Sequence, residues 1–228
     1  LCGLMMLKVF VDLMSQPCRA LLIFLTVNKI PHTLHTIALR KGQNRTPEFA
    51  KLNPMQKVPV IEEDGFILTE SDAILKYLSA AYCVPDHWYP QQPQKRARVD
   101  EYTAWHHMNT RLHSSKVFIT EVLIPRLTGQ PVDDVKLQRA LRELDRTLDK
   151  LETMFLKEKD FLCGDKVTLA DLLAVCELMQ PLGGGRDVLK NRPRLKEWKS
   201  RVQAALGDSF DLAHKILYTL KDKHNSKL

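Results

Sequence analysis

A stretch rich in proline and glutamine, CVPDHWYPQQP at residues 83–93, separates two parts of the sequence that have different patterns. Before it, short segments rich in β-branched and aromatic residues alternate with helical patterns. After it, every periodic segment has helical spacing. Prolines without periodicity are typical of a linker. The sequence therefore predicts an α/β domain at residues 1–84, a linker at 85–94 and an all-helical domain at 95–228.

The first part begins with a strand–helix–strand unit. Lys8–Leu13 has the composition of a strand, and Ser15 suits the N-cap of the helix that continues to Val27, with Pro17 in its first turn. Pro31 ends the helix, and His32–Leu39 predicts a second strand. Because a helix connects the two strands, we expect them to be parallel.

The rest of this domain predicts a short helix, a hairpin and a further helix. The short helix lies between Gly42 and Asn53. Val58–Glu62 and Phe66–Thr69 are strands joined by an Asp-Gly turn, and Ser71 is expected to cap the helix that follows. The predicted order is βαβ-α-ββα, with four strands and three helices.

Leucines and a phenylalanine at alternating spacings of three and four predict a helix over residues 137–155. Thr168 and Asp171 form a candidate capping box, with a hydrophobic staple between Val167 and Leu172. The three glycines at 183–185 are expected to end that helix. Two more helices are predicted at 195–206 and 210–220.

Charge is unevenly distributed along the chain. The net charge is +7, and residues 186–228 hold eleven Lys and Arg against five Asp and Glu. Such a basic region could attract nucleic acid or an anionic membrane. No basic stripe with interleaved aromatic residues accompanies it, so a solvated face is the favoured interpretation, with neither nucleic acid nor membrane as a partner.

No apolar run is long enough to span a membrane, and the apolar start lacks the features of a secretory leader. The five cysteines are an odd number without metal-ligand spacing. We therefore expect free thiols, no metal site and a reducing, cytoplasmic location.

Three short motifs of the first domain carry its chemistry. Val58-Pro59, at a strand start, is a candidate cis bond that would expose the Val58 backbone to a peptide-like ligand. Glu70 and Ser71 stand where a strand meets a helix start, which suits the carboxylate and ammonium of an α-amino acid. Ser15 could stabilise a bound thiolate, because a hydroxyl donor and a helix start both lower a thiol pKa. Each motif alone has a structural alternative: a trans proline, or a plain helix cap.

Together, the element order, these motifs and the helical second part resemble the cytosolic glutathione transferases. Several segments are similar to the theta class in particular, and the similarity extends from about residue 7 to about residue 220. These segments are DLMSQPCRA at 12–20, NPMQKVP at 53–59, LTES at 68–71, PDHWYP at 85–90 and RARVDEY at 96–102.

The resemblance implies an α/β thioredoxin-like domain that binds glutathione, followed by a helical bundle that binds the electrophile and forms a homodimer. Ser15 would activate the thiol of glutathione, the co-substrate; no further cofactor is implied. Glutathione would be held by six residues: Lys41, Asn44, Lys57, Val58, Glu70 and Ser71. Small hydrophobic electrophiles would meet Met108, Arg111 and Ile119 in the helical domain, with a surface charge as the alternative for Arg111.

Three departures from the theta pattern affect activity. Asn44 stands where theta relatives usually have His, which predicts weaker binding of glutathione. Ile119 stands where a bulky Trp is common, which predicts a wider pocket. The expectation for the end of the sequence is a shortened or absent C-terminal lid helix, and with it an electrophile site open to water.

Three functions remain open at this point. The first is a transferase that attacks alkyl halides or organic hydroperoxides with glutathione thiolate. The second is a glutathione-binding module of the same fold with little turnover. The third is a thiol–disulfide reductase that uses Cys18, which occupies the place of the second cysteine of a Cys-x-x-Cys motif.

Overall fold

The computed structural model describes residues 6–225, with side chains to residue 223. Cys2 and the first apolar residues lie outside this range. The chain forms two compact units that divide after Pro85. The first combines a four-stranded sheet with three helices, and the second is helical, as the sequence predicts.

The sheet of the first unit has the strand order β2-β1-β3-β4, in which β1 pairs parallel with β2 and antiparallel with β3. The elements are β1 (Leu7–Val11), α1 (Gln16–Val27), β2 (His32–Thr36), α2 (Pro47–Leu52), β3 (Val60–Glu63), β4 (Phe66–Thr69) and α3 (Ser71–Ala81). The core lies between β1, α1 and α3, where Leu7, Val9, Leu21 and Ile74 have no exposed surface. α1 is the most deeply buried of the three helices, and α3 contacts both α1 and the strands β3 and β4.

Three predicted strand boundaries are wrong by two or three residues. β1 ends at Val11 because the Asp12 carboxylate accepts the N–H of Met14 and starts a turn. β2 ends at Thr36 rather than Leu39, since Leu39 begins a short 3₁₀ turn and donates its N–H to Asp12 Oδ2 at 3.0 Å. β3 begins only after Pro59, which has no N–H for the sheet.

Over residues 86–225, the described part of the second unit, there are seven α-helices. They are α4 (Pro93–His106), α5 (Leu112–Phe118), α6 (Ile124–Thr128), α7 (Asp134–Lys150), α8 (Leu169–Leu178), α9 (Pro193–Leu206) and α10 (Asp208–Asn225). Two π-helical segments, His107–Arg111 and Ile119–Leu123, join α4, α5 and α6 into one long helix. A third π-helical segment, Leu151–Leu156, extends α7 and completes the predicted helix over 137–155.

α8 is the centre of the helical unit, and all ten of its residues are buried. The predicted capping box is present: the Asp171 carboxylate accepts the N–H of Thr168 at 2.9 Å. Its other oxygen accepts the backbone N–H of Leu162 at 2.8 Å and the indole N–H of Trp198 at 2.9 Å. One buried carboxylate therefore joins the start of α8 to α9 and to the preceding loop.

The glycines at 183–185 do not end α8, which stops at Leu178; a 3₁₀ turn, Gln180–Gly184, follows. Gly185 closes this turn in the left-handed conformation, at φ 82°. Gly184 serves a different purpose, because a Cβ there would lie 2.5 Å from Cγ2 of Val122. The prediction that these glycines end α8 was wrong. Gly184 instead allows the 3₁₀ turn to approach the π-helical segment that contains Val122, and the sequence pattern does not show such a tertiary contact.

Four arginines of the basic C-terminal region, residues 186–228, form ion pairs with carboxylates elsewhere in the helical unit. Arg192 bridges three carboxylates on one side of α7 and its extension, those of Asp145, Asp149 and Glu152, at 2.5–3.2 Å. Arg186 pairs with Glu121, and two further arginines pair with Glu158 and Asp160. Four positive charges of the basic C-terminal region therefore have acidic partners elsewhere in the chain.

Candidate active site

The register of the sheet places the three motifs of the first unit at one edge. Phe10 pairs with Val60, and Val60 pairs with Thr69. The end of β1, the start of β3 and the end of β4 therefore share this edge. Ser15 follows β1, Val58 precedes β3, and Glu70 with Ser71 follows β4.

Ser15 occupies the N-cap position of α1 and is half-buried. Its backbone has extended dihedral angles, φ −83° and ψ 126°, and its hydroxyl makes no capping hydrogen bond to the helix. No acidic residue lies in the first turn of α1, so the positive end of the helix dipole is not neutralised there. A thiolate beside Ser15 would meet both a hydroxyl donor and this positive potential.

Cys18 is fully buried one turn into α1, and burial raises its thiol pKa to about 11. A hydrogen bond with the Ser15 side chain opposes this effect but is smaller. Because the thiolate is the reactive form, a thiol with this pKa and no exposed surface is unsuited to disulfide exchange. The geometry thus disfavours the reductase hypothesis.

Two residues that sequence reasoning missed shape the turn before Ser15. The Asp12 backbone carbonyl accepts the Ser15 N–H at 2.9 Å. Arg19 is fully buried, and its guanidinium donates to the carbonyl oxygens of Leu13 and Met14 at 2.9 and 3.2 Å. An arginine near a helix start is ordinarily expected at the surface, and no local pattern indicated that these carbonyls would bind it.

The Val58-Pro59 peptide bond is cis, as predicted. Val58 is buried with 8% of its surface exposed, whereas Lys57 is exposed. The Asn53 side chain donates to the carbonyl of Lys57 at 2.8 Å and accepts the N–H of Met55 at 3.0 Å. Asn53, another residue that sequence reasoning missed, therefore holds the chain that leads into the cis bond.

Glu70 has positive φ, with φ 64° and ψ 111°, a region that residues other than glycine rarely occupy. It stands at the N-cap of α3, and Ser71 is the first helical residue, so the expectation that Ser71 is the cap was wrong by one position. The Glu70 side chain is exposed and does not cap the helix. Backbone strain of this kind is typical of ligand sites.

The loop that carries Lys41 and Asn44 begins at the same sheet edge. Lys41 is exposed at the end of the 3₁₀ turn Leu39–Lys41. The Asn44 side chain donates to the carbonyl of Gln56 at 2.8 Å, which ties this loop to the 53–57 turn. At least one Asn44 N–H is thus used within the protein.

In the helical unit, Met108, Arg111 and Ile119 all lie in π-helical segments of the long helix. Such segments often occur at functional sites, because the extra residue changes which side chains face outward. Met108 is 69% exposed and Ile119 is 40% exposed. Together with Leu112 and Leu123 they form an exposed apolar row.

Arg111 forms an ion pair with a buried carboxylate of α8. Its Nη1 donates to Oε1 of Glu177 at 3.0 Å, and the Glu177 side chain is only 2% exposed. No local sequence pattern could indicate this contact, because 66 residues separate the two positions.

The described residues can be characterised with respect to metal ligands, membrane-spanning helices and disulfide bonds. Across residues 6–225, no group of three or more His, Cys, Asp or Glu side chains could hold a metal ion. Within the same range, no helix has both the length and the apolar character needed to cross a membrane. Four cysteines of this range, Cys18, Cys83, Cys163 and Cys176, are not in disulfide bonds.

Comparison with known proteins gives matches in both units. The family model described as glutathione S-transferase, N-terminal domain, matches residues 15–81, and the corresponding C-terminal domain model matches residues 115–205. The chain is 49% identical to glutathione S-transferase theta-1 of Bos taurus and 48% identical to that of Homo sapiens, in each case over 95% of this chain and 90% of the relative.

Solved structures are similar over the same extent. The apo form of human glutathione-S-transferase T1-1 has a TM-score of 0.92 at 47% identity, covering 95% of this chain and 91% of that one. Human glutathione transferase theta-2 in complex with glutathione has a TM-score of 0.91 at 44% identity, covering 97% and 91%. A human theta-class enzyme bound to the glutathione conjugate of 1-menaphthyl sulfate has a TM-score of 0.92 at 44% identity, covering 98% and 91%.

The chain belongs to the glutathione S-transferase family, as the matches to both domain models and to the theta-1 relatives show. Its fold agrees with this, since a thioredoxin-like domain with a cis-proline is followed by a helical unit. Within that family it belongs to the theta class. It is accordingly an enzyme that uses glutathione as its co-substrate.

Proposed function

We propose that the protein conjugates glutathione to small hydrophobic electrophiles such as alkyl halides, and reduces organic hydroperoxides, with Ser15 stabilising the thiolate. The observation that carries the proposal is the position of Ser15: half-buried, at the positive end of α1, with a hydroxyl that does not cap the helix. Conjugation forms a bond between the sulfur of glutathione and the electrophilic carbon. The halide leaves with the bonding electrons, and the thiol proton passes to solvent.

The residues at the sheet edge fit the three parts of glutathione. The exposed Glu70 carboxylate would accept the ammonium of the γ-glutamyl group, while Ser71 and the first N–H groups of α3 would hold its carboxylate. The backbone of Val58, beside the cis bond, would pair with the cysteinyl unit. Lys57 and Lys41 are exposed cations for the glycyl carboxylate, with Asn44 beside them.

The apolar row of the long helix would contact the electrophile. Met108 and Ile119 offer exposed apolar surface, and Arg111 adds a polar donor between them. The theta-class structures bound to glutathione and to a glutathione conjugate support these roles by family membership. The same membership supports a cytoplasmic homodimer in which the helical domain contributes to dimer contacts.

The test is glutathione-dependent turnover of a small alkyl halide and of cumene hydroperoxide. Ser15→Ala should lose about 10²- to 10³-fold in kcat, as expected when one preorganised donor to a reacting anion is removed. Ser15→Thr is the matched control, because it keeps the hydroxyl and should retain much of the activity. Unfolding curves for both variants would exclude loss of structure, and equal activity in Ser15→Ala and wild type would remove Ser15 from the mechanism.

A glutathione-binding module with little turnover is the second candidate. The observation that favours it is the hydrogen bond from Asn44 to the carbonyl of Gln56, which leaves this side chain less able to hold the glycyl carboxylate. Calorimetry that shows glutathione binding, beside negligible turnover of a broad electrophile panel, would select this function. Measurable turnover that depends on Ser15 would exclude it.

A further inference from the structure

Asp12 and Arg19 together bind the backbone of the turn that ends β1 and precedes Ser15. Asp12 accepts the N–H groups: its carboxylate binds that of Met14 at 2.9 Å, and its carbonyl binds that of Ser15 at 2.9 Å. Arg19 donates to the carbonyls, since its Nη1 lies 2.9 Å from the oxygen of Leu13 and 3.2 Å from that of Met14. Met14 therefore has both of its backbone polar groups bound, directly before Ser15.

Arg19 also binds Ser15 through its own backbone. The N–H of Arg19 donates to the Ser15 carbonyl at 3.2 Å, which is the first hydrogen bond of α1. One residue thus holds the chain before Ser15 with its side chain and Ser15 itself with its backbone. Because the direction of a side chain follows from the backbone that carries it, Arg19 helps to set where the Ser15 hydroxyl lies.

The side chain of Arg19 does more than satisfy two carbonyl oxygens. Leu13 and Met14 are half-buried, and their hydrogen bonds to Arg19 are only partly buried, so water could also bind these oxygens. Arg19 itself has no exposed surface, and burial of a guanidinium is unfavourable unless its contacts compensate for the lost water. A planar, preorganised guanidinium differs from water in one respect: it holds two neighbouring carbonyls in fixed positions.

The Ser15 hydroxyl needs such support because it does not bind its own helix. Thr46 and Asp133, at the N-caps of α2 and α7, each accept a backbone N–H of the helix that follows. Ser15 makes no such bond at the start of α1. Its hydroxyl therefore lacks the contact that ordinarily fixes an N-cap side chain, and its position depends on the turn beneath it.

We propose that Arg19 is a positioning residue for Ser15: it fixes the turn at Leu13 and Met14 so that the Ser15 hydroxyl donates to the sulfur of glutathione. The inference rests on the proposed function, in which Ser15 stabilises the thiolate. Arg19 acts through Ser15 and is not itself a ligand of glutathione. A donor misplaced by about 1 Å can cost about a hundredfold in rate, so loss of Arg19 should weaken thiolate stabilisation without removing the glutathione site.

The test compares Arg19→Met with the wild-type protein, because methionine is long and apolar but has no N–H donor. We expect kcat for a small alkyl halide to fall at least about tenfold. The thiol pKa of bound glutathione, measured from the ultraviolet absorbance of the thiolate, should rise by about one unit. The dissociation constant of S-methylglutathione, which has no thiol, should change less than about threefold, since the rest of the site is intact. A purely structural role would lower Tm without producing this split.

A second background shows whether Arg19 acts through Ser15. In Ser15→Ala the hydroxyl is absent, so addition of Arg19→Met should change the thiol pKa by less than about 0.3 unit, against about one unit when the hydroxyl is present. The matched control is Arg96→Met in the other unit, which removes an arginine whose Nε donates to the carbonyl of Pro90 at 2.7 Å. This control should leave kcat and the thiol pKa as in the wild-type protein.

Should Arg19→Met fail to fold, Arg19→Lys decides. Lysine keeps the charge, but its ammonium is one bond nearer the backbone and cannot reach both carbonyls unless the turn moves, so kcat should fall at least about threefold. Wild-type kcat and thiol pKa in either folded variant, or equal effects of Arg19→Met with and without the Ser15 hydroxyl, would overturn the inference. An effect of Ser15→Ala without any effect of Arg19→Met rejects the inference alone, whereas wild-type behaviour of Ser15→Ala refutes the proposed function and this inference with it.

Discussion

Replacing Gly184 by alanine should destabilise the helical unit through one steric contact. The new Cβ would lie 2.5 Å from Cγ2 of Val122, whereas ordinary contacts between carbon atoms are about 3.5–4.0 Å. Val122 is 3% exposed, so neither group can move into solvent. Gly184 does not have positive φ, so alanine suits its backbone and the contact alone is tested.

The size of the effect follows from overpacking. Insertion of a methyl group into a packed core costs about 1–3 kcal/mol. For a chain of this length that loss corresponds to a decrease in Tm of about 3–10 °C. The control is Gly164→Ala, because a Cβ at Gly164 meets nothing within 4 Å and its φ is not positive. This control should change the free energy of unfolding by less than about 0.5 kcal/mol.

A double variant identifies the contact as the cause. Val122→Ala removes the methyl group that the new Cβ would strike, so its combination with Gly184→Ala should recover at least about 1 kcal/mol relative to the sum of the two single changes. Thermal and urea unfolding measured by circular dichroism provide the free energies. Stability of Gly184→Ala equal to that of Gly164→Ala, or strict additivity in the double variant, would refute the steric argument.

Two further predictions concern buried groups. Asp171→Asn should lower the free energy of unfolding by about 2–5 kcal/mol, because an amide nitrogen replaces one of the oxygens that accept N–H groups from the backbone and from Trp198. Urea unfolding measures this loss, and a decrease of less than about 1 kcal/mol would contradict the prediction. For Cys18 the folded-state pKa of about 11 lies above the unfolded value of 9.0, so above pH 9 the unfolded chain loses its proton first. The free energy of unfolding therefore falls, by about 2.3 kcal/mol at pH 11 and by at most about 2.7 kcal/mol at still higher pH. Cys18→Ala should lessen that decrease. Iodoacetamide at pH 8 should modify the exposed Cys83 well before the buried Cys18. Equal rates of modification would show that Cys18 is accessible to solvent and would contradict the argument.

Most of the fold of the first unit could be predicted because its signals are local. Prolines, the Asp-Gly turn and β-branched runs identify four strands and three helices in order. The ends of the strands were less accurate for a tertiary reason. Leu39 leaves the sheet because Asp12, 27 residues earlier, accepts its N–H, and no local pattern contains that contact.

The candidate site divides in the same way. Ser15 and Glu70 could be proposed from the sequence because each stands where a strand meets a helix start. The pairing of Arg111 with Glu177 could not, since it depends on how two helices pack, and Arg19 was missed because its partners are backbone carbonyls. Contacts between side chains and residues far away in the sequence are therefore the part of the site that requires the structure.

Asp12, Asn44 and Asn53 have a consequence for comparisons among related sequences. Each is a polar residue within the loops of the sheet edge, and each binds backbone: the N–H of Leu39, the carbonyl of Gln56 and the carbonyl of Lys57. Selection for glutathione binding would therefore act on these positions even if none of them touches the ligand. An invariant residue at such a position would reflect the hydrogen bond that holds two neighbouring loops together. Substitution of that residue would be tolerated most readily in relatives whose partner loop has also changed.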